Sequence, residues 1–291
     1  MLAVVGTVPD ADFPLVEGEV TFQDRDILIQ GRRVNVNRGT PALLAAAVKA
    51  AQILGRPGPV GFLVGDIGRG DGSRRLYEYL TGHLAETGFQ VMTFHYLQPD
   101  VDWHNRVLFA VNELNPRPVL VADAGFMYAA KMSGQAPTYD LFTPDIGELA
   151  FLADEEAPHP FYTRGFILHE ENQAPNLIAR AYAHRNAARH LLVKGRRDYL
   201  AGPKGIIATI DRPNEEALEA MGGTGDTLTG LVSVLIEAGY EVGESAVMAA
   251  QVNRLAGRLA EPTPASQVAE LIEQIPRALE DILQERKEKT N

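Results

Sequence analysis

Residues 221–230 read Met-Gly-Gly-Thr-Gly-Asp-Thr-Leu-Thr-Gly, and the residues that follow, up to Ile236, are mostly apolar. The glycines at 222, 223 and 225 predict a tight turn whose backbone comes close to a ligand. A helix that begins at such a turn presents unpaired N–H groups and a positive dipole end, which suits phosphate. Asp226 is unusual there, because a carboxylate repels an anion. Two interpretations stay open: Asp226 takes a proton from a substrate hydroxyl, or it only caps the helix.

Strands and helices alternate along the rest of the chain. Apolar strands are predicted at 59–64, 90–94, 119–122, 141–143 and 190–193, with a half-exposed strand or hairpin at 26–36. Helices are predicted at 41–53, 74–87, 101–114, 147–153, 176–188 and 266–287. This order is typical of a parallel sheet covered by helices on both faces. The loops 65–72, 143–148 and 194–198 and Asp123 all follow strands, so we expect them to share one ligand crevice.

The composition limits the class of protein. The chain has 291 residues, 45% of them hydrophobic, without a linker, low-complexity block or repeat, so we expect a single domain over 1–291. Cysteine is absent, which excludes structural disulfides and thiolate metal sites. The start has no basic region typical of a signal peptide, and no apolar run is long enough to span a bilayer. We therefore expect a cytoplasmic protein that binds no membrane. The net charge of −11 argues against a nucleic-acid surface.

Positive charge is concentrated beside Gly195, where Lys194, Arg196 and Arg197 form a cationic loop. Such a loop contacts phosphate or is simply solvated, and the sequence leaves both interpretations open. Asp145 and Glu148 stand three residues apart at a predicted helix start. This spacing is typical of a capping box at the start of a helix.

Other chemistry finds less support in the sequence. The glycine-rich loop at 65–72 is not followed by the Gly-Lys-Ser/Thr of a phosphate-binding P-loop, and its glycines lack the spacing of the dinucleotide fingerprint. The seven histidines show no close zinc-type pairing. There is no Gly-x-Ser-x-Gly motif and no cysteine nucleophile.

The segment 222–230 resembles the anion-hole motif of the ribokinase-like superfamily, and most of all that of the ADP/ATP-dependent NAD(P)H-hydrate dehydratases. Further segments resemble this family in the same order, namely 39–50, 65–70, 119–124, 143–149 and 192–195. The resemblance implies a ribokinase-like three-layer α/β/α fold with a central, mostly parallel sheet. Residues 1–38 are interpreted as an N-terminal β extension of that domain.

The resemblance also implies site residues, with ATP or ADP and Mg²⁺ as cofactors. The residues it assigns to catalysis are Asp226, Gly223, Thr224 and Gly225. Those it assigns to the nucleotide are Lys194, Gly195, Arg196, Arg197, Asp198 and Gly225. Those it assigns to the acceptor substrate are Ala42, Gly65, Gly68, Asp145 and Asp226. Glu148 would support the Mg²⁺.

The implied reaction is phosphorylation of the hydroxyl of hydrated NADH or NADPH, followed by elimination. Among the features that differ from the family pattern, Asp145 replaces the usual His, the loop 194–198 ends in Asp rather than Thr, and the segment 212–220 is acidic. They keep open two alternatives, an ATP-dependent kinase of a sugar or other small hydroxylated metabolite and a non-catalytic nucleotide-binding homologue. The family often forms homo-oligomers, so the resemblance also implies that state.

Overall fold

The computed structural model describes residues 1–84, 88–155, 173–263 and 265–290. The strands in these ranges are β1 (Leu2–Val8), β2 (Val16–Glu19), β3 (Thr21–Gln23), β4 (Asp26–Ile29), β5 (Arg32–Asn35), β6 (Val60–Gly65), β7 (Val91–His95), β8 (Val119–Ala122), β9 (Leu141–Phe142), β10 (His190–Val193), β11 (Asp198–Gly202) and β12 (Gly205–Ile210). Within the described ranges, nine strands form one sheet in the order β12-β11-β10-β9-β8-β7-β1-β6-β2. The six central strands are parallel, namely β10, β9, β8, β7, β1 and β6. The antiparallel strands β2, β11 and β12 lie toward the two edges of the sheet.

Helices cover both faces of this sheet. They are α1 (Gly39–Leu54), α2 (Asp71–His83), α3 (Val101–Asn112), α4 (Ala124–Met132), α5 (Ile146–Ala153), α6 (Ala174–Ala183), α7 (Thr224–Glu237), α8 (Val242–Leu259) and α9 (Val268–Thr290). One apolar core contains side chains of α1, α7, α8 and α9, and the other contains those of α2 to α6. Successive side chains of a strand point to opposite faces, so Val4 of β1 packs in the first core and Ala3 and Val5 in the second. The predicted three-layer α/β/α fold is confirmed.

A small antiparallel sheet of β3, β4 and β5 packs against α1. Its β4 and β5 are the hairpin that the sequence predicts around Gly31. The segment interpreted as an N-terminal extension also contains β1, which lies between β6 and β7 in the large sheet. Residues 2–8 therefore belong to the centre of the sheet.

Most predicted elements are present with shifted ends. The strand predictions at 59–64, 90–94, 119–122, 141–143 and 190–193 are confirmed to within a residue at either end. The predicted helix 74–87 begins earlier, at Asp71, and residues 85–87 lie outside the described ranges. The predicted helix 176–188 ends at Ala183, because Arg185 takes a left-handed φ of 58° that stops it.

Several elements were not predicted from the sequence: β1, β2, β3, α4, β11, β12 and α8. All seven residues of β1 are buried, so the strand lacks the polar and apolar alternation that reveals a half-exposed strand. Among the described residues, no helix combines the length and apolar character needed to cross a membrane.

Candidate functional site

A cleft of about 440 Å³ lies at the carboxyl end of the parallel strands. Segments that follow β7, β8, β9 and β10 line it, together with the first turn of α7, part of α8 and the segment 213–219. The cleft therefore brings together Asp123, Asp145, Lys194 and Asp226, which come from four separate parts of the chain. The expected convergence of the loops that follow β8, β9 and β10 is confirmed, whereas the loop 65–72 does not line this cleft.

The first turn of α7 forms one wall of the cleft. Gly223 caps the helix with a φ of 98°, a conformation that side chains rarely adopt. A Cβ at this position would also lie 3.1 Å from Val268 and 3.2 Å from the Cα of Arg38. Thr224 and Gly225, both in the first turn, line the cleft. N–H groups of a first helical turn have no acceptor within the helix, so they can bind an anion.

Asp226 does not cap its own helix. Its Oδ2 accepts a hydrogen bond from the backbone N of Gly39 at 2.6 Å, and its Oδ1 lies 3.1 Å from Nε2 of His95. The capping interpretation of Asp226 is therefore wrong, and Gly223 occupies the cap position. Burial alone would raise the pKa of Asp226, but the hydrogen bond from His95, the charge of Lys194 and the N–H of Gly39 together lower it. The carboxylate stays ionised within the cleft.

A buried ion pair lies beside Asp226. Nζ of Lys194 is 2.7 Å from Oδ2 of Asp123. The same Asp123 oxygen accepts from the hydroxyl of Thr229 at 2.7 Å, and the other accepts from the N–H of Ala124 at 2.8 Å. Burial alone would lower the pKa of Lys194, but Asp123 and Glu148 outweigh it and raise the pKa. Lys194 is therefore a protonated cation held at the base of the cleft.

Asp145 and Glu148 form the capping box that their spacing predicts. Oδ1 of Asp145 accepts from the N–H of Glu148 at 2.8 Å, and Oε2 of Glu148 accepts from the N–H of Asp145 at 2.8 Å. Oε1 of Glu148 accepts from the hydroxyl of Tyr128 at 2.9 Å. Loss of solvent, together with the carboxylates of Asp123 and Asp145, raises the pKa of Glu148 to about 8. Across the described part of the chain, no cluster of three or more acidic or histidine side chains has metal-binding geometry.

Arg254 of α8 binds the cationic loop through side-chain and backbone contacts. Gly195 and Arg196 line the cleft, whereas Arg197 does not. Asp198 is buried and accepts from Nε of Arg254 at 2.7 Å. Arg254 also donates to the carbonyl oxygens of Gly195 and Arg196, each at 2.9 Å. The carboxylate of Asp198 thus anchors the loop.

The residues assigned to the acceptor substrate lie in two places. Asp145 and Asp226 line the cleft, whereas Ala42, Gly65 and Gly68 do not. Ala42 is fully buried in the apolar core that α1 shares with α7. Gly65 is buried at the end of β6, and the N–H of Gly68 donates to Asp66 at 2.9 Å.

Several residues of the site were not predicted from the sequence, among them His95, Tyr96 and Arg254. His95 forms no close pair with another histidine in the sequence, so it lacks the spacing that indicates a zinc site. A usable signal was present, since His95 and Tyr96 directly follow the apolar run of β7, just as Asp123 follows that of β8. Arg254 lies within α8, and no feature of the sequence around it indicates the cleft.

A three-layer fold with a mostly parallel sheet, and with a glycine-capped helix beside an acid in the crevice, defines a ribokinase-like protein. The family model described as NAD(P)H-hydrate dehydratase matches residues 98–277. The chain belongs to this family of ribokinase-like enzymes.

Two relatives are similar to this chain in sequence. An uncharacterized protein of Methanocaldococcus jannaschii is 41% identical over 220 residues, which cover 75% of this chain and 90% of that protein. The bifunctional NAD(P)H-hydrate repair enzyme of Pyrobaculum aerophilum is 30% identical over 141 residues, which cover 48% of this chain and 25% of that enzyme.

The structure of the ADP/ATP-dependent NAD(P)H-hydrate dehydratase of Bacillus subtilis, co-crystallized with ATP/Mg²⁺, has a similar fold. The TM-score is 0.59 at 16% identity, over 97% of this chain and 89% of that one. At this identity the likeness shows the fold alone.

Proposed function

We propose that the chain is an ADP- or ATP-dependent NAD(P)H-hydrate dehydratase. The observation that carries this proposal is the position of Asp226, which lies in the first turn of α7 and in the same cleft as Lys194 and Arg196. A base, an anion-binding helix end and cations thus meet in one space. Membership of the family supports the substrate, and the ADP/ATP dependence of the Bacillus subtilis dehydratase, which was co-crystallized with ATP/Mg²⁺, supports ATP or ADP as phosphate donor.

The geometry supports a phosphoryl transfer followed by an elimination. Asp226 would take the proton of the acceptor hydroxyl while the hydroxyl oxygen bonds to the terminal phosphorus of the nucleotide. The bond between that phosphorus and the rest of the nucleotide breaks, and the N–H groups of Thr224 and Gly225 stabilise the transferring charge. Phosphate then leaves with the electron pair of the C–O bond, and loss of a ring proton restores the nicotinamide double bond.

The cleft also fits a divalent cation. Asp123, Asp145 and Glu148 lie close enough for the first two to raise the pKa of the third. A divalent cation relieves such repulsion, and Mg²⁺ requires few protein ligands because it keeps several waters. Glu148 would hold the Mg²⁺, and the ion would neutralise part of the phosphate charge.

The direct test follows the return of NADH absorbance from hydrated NADH with Mg²⁺ and either ADP or ATP. We expect Asp226→Asn to lower the rate by about 100- to 10,000-fold, as removal of a general base does, while nucleotide binding persists. Asp281→Asn, an exposed change on α9, is the matched control and should leave the rate unchanged. Equal rates for Asp226→Asn and the wild type would refute the role of Asp226.

One observation favours a second candidate, an ATP-dependent kinase of a small hydroxylated metabolite. Glu215 and Glu219 line the cleft beside Gly225, and Asp145 stands where the family usually has His. These acidic side chains suit a different acceptor. A kinase would leave the phosphate on its product, which ³¹P NMR distinguishes from free phosphate.

Nucleotide binding without turnover of any acceptor would instead indicate a non-catalytic homologue. The cytoplasmic location and the homo-oligomeric state stay predictions from the sequence.

A further inference from the structure

We propose that His95 is a positioning residue of this site, which holds the carboxylate of Asp226 in its reactive orientation and connects it to the start of α1. This proposal rests on the proposed role of Asp226 as the base. His95 is the last residue of β7, and its side chain is fully buried directly behind Asp226.

The two ring nitrogens of His95 have different partners. Nε2 lies 3.1 Å from Oδ1 of Asp226, and Nδ1 lies 3.0 Å from Oγ1 of Thr40. An ionised carboxylate can only accept, so Nε2 must carry the proton that faces Asp226. Nδ1 can then accept from the hydroxyl of Thr40. The pair of contacts favours one tautomer of the imidazole, the one that donates to the base.

The carboxylate of Asp226 is held at both oxygens. Oδ1 is bound by His95, and Oδ2 is bound by the N–H of Gly39 at 2.6 Å. Gly39 and Thr40 are the first two residues of α1, so this helix start contacts Asp226 directly and through His95. The carboxylate cannot rotate without losing one of these bonds. Each oxygen still has a lone pair for the acceptor hydroxyl.

A purely structural role explains the buried His104 but not His95. His104, for comparison, bonds to the hydroxyl of Tyr139 within the aromatic core, and burial lowers the pKa of His104 to about 4. The partner of His95 is instead the acid that lines the cleft. A buried group that hydrogen-bonds a reacting side chain can orient it, as the buried acid of a Ser-His-Asp triad orients its histidine.

The charged and titratable groups that face Asp226 come from several elements. They are His95 from β7, Tyr96 beside it, Asp123 after β8 and Lys194 after β10. Nε2 of His95 also lies 3.7 Å from Oδ2 of Asp123. Loss of His95 would leave Asp226 with Lys194 and the N–H of Gly39 as its favourable partners. The pKa of Asp226 should then rise toward that of an ordinary buried carboxyl.

The pH profile of NADH recovery tests this role. We expect His95→Leu to lower kcat by about tenfold to a hundredfold, as loss of an orienting partner does, with a smaller change in KM. The acidic limb of kcat/KM should move to higher pH, since Asp226 then binds its proton more tightly. His95→Gln keeps an N–H donor and should recover part of the loss. A loss that is equal at every pH and is not rescued by Gln would overturn the proposal.

A second measurement does not depend on turnover. The carboxyl ¹³C signal of Asp226, assigned by its absence in Asp226→Asn, is titrated in the full-length wild type and in His95→Leu. We expect the midpoint to move upward by about one pH unit, and an unchanged midpoint would refute the contact. Because no substrate is involved, this result stands even if the protein repairs no hydrate.

Two further variants complete the test. If His95→Leu does not fold, Thr40→Val removes only the partner of Nδ1 and should move the midpoint in the same direction by less. His104→Leu, in the aromatic core, is the control: it should lower stability and leave the titration of Asp226 unchanged. A movement of equal size in the His104 variant would show that general loosening, and not the His95 contact, sets the midpoint.

Discussion

At the scale of single residues, the pair formed by Asp123 and Lys194 determines the charge of the cleft. Both side chains are largely removed from solvent, and Asp123 accepts two further hydrogen bonds from Thr229 and Ala124. A buried pair adds little net stability, but removal of one partner leaves an uncompensated charge. Lys194 is therefore required for the fold around the cleft as well as for the proposed nucleotide contact.

Lys194→Met tests this requirement. We expect it to lower the free energy of unfolding by about 3 kcal/mol, because Asp123 would stay buried without its cation. Denaturation in urea measures the change. Lys204→Met, an exposed change in the hairpin of β11 and β12, is the matched control and should be close to neutral. Equal stabilities of the two variants would show that Asp123 needs no cation.

At the scale of elements, the approach of α1 to the sheet positions the base. Gly6 of β1 pairs in register with His95 of β7. A Cβ on Gly6 would lie 2.5 Å from Oγ1 of Thr40 and 2.8 Å from the carbonyl oxygen of His95. The start of α1 can reach Asp226 only because β1 has no side chain at this point.

Gly6→Ala should therefore disturb both stability and turnover. We expect a loss of about 1–3 kcal/mol in the free energy of unfolding, the usual cost of an overpacked core, and a lower rate of NADH recovery. Gly82→Ala is the matched control, because a Cβ there meets no atom within 4 Å and the residue lies within α2. That variant should be neutral or slightly more stable. If Gly6→Ala behaves in the same way, Thr40 is not held as the structure indicates.

At the scale of the whole molecule, the site lies across two separately packed halves. The first core contains α1, α7, α8 and α9, and the second contains α2 to α6. Asp226 and Arg254 belong to helices of the first half, whereas Glu148 belongs to α5 in the second. The cleft therefore depends on the central sheet that joins the two halves.

Lys131, in the half that contains α2 to α6, should make the free energy of unfolding depend on pH. Nζ of Lys131 in α4 donates to the carbonyl oxygens of Phe151 at 2.6 Å and Asp154 at 2.5 Å, and burial lowers its pKa from 10.5 to about 8. Between these two values the unfolded chain holds a proton that the folded chain has lost. The free energy of unfolding should then rise with pH, by at most about 1.4 kcal/mol per pH unit.

Urea denaturation between pH 7.5 and 10.5 measures this slope for the wild type and for Lys131→Met. The difference between the two proteins removes the contributions of the other titrating groups. We expect the wild type to gain stability relative to the variant across this window and to show no relative change below it. A constant difference at all pH values would contradict the lowered pKa of Lys131.

Much of the fold could be predicted from the sequence, because its signals are local. The parallel strands β6 to β10, and the helices α2, α3 and α5 that follow three of them, were predicted from apolar runs and periodicity bounded by turn residues. The capping box of Asp145 and Glu148 spans only four residues, and the positive φ of Gly223 is a property of a single residue. The strand β1 was missed since a strand buried on both faces has no alternation to recognise.

Local sequence patterns are sufficient to predict the central parallel strands, the turn at Gly223 and the acid that follows it, since these depend on neighbours a few residues away. The contacts of Asp226 depend instead on how distant segments pack. Gly39 and His95 are 187 and 131 residues from Asp226 along the chain, and no local pattern records such pairings. The same acid could have capped its helix. Packing of α1 against β1 and α7 instead buries the carboxylate between two donors, and burial makes those partners obligatory.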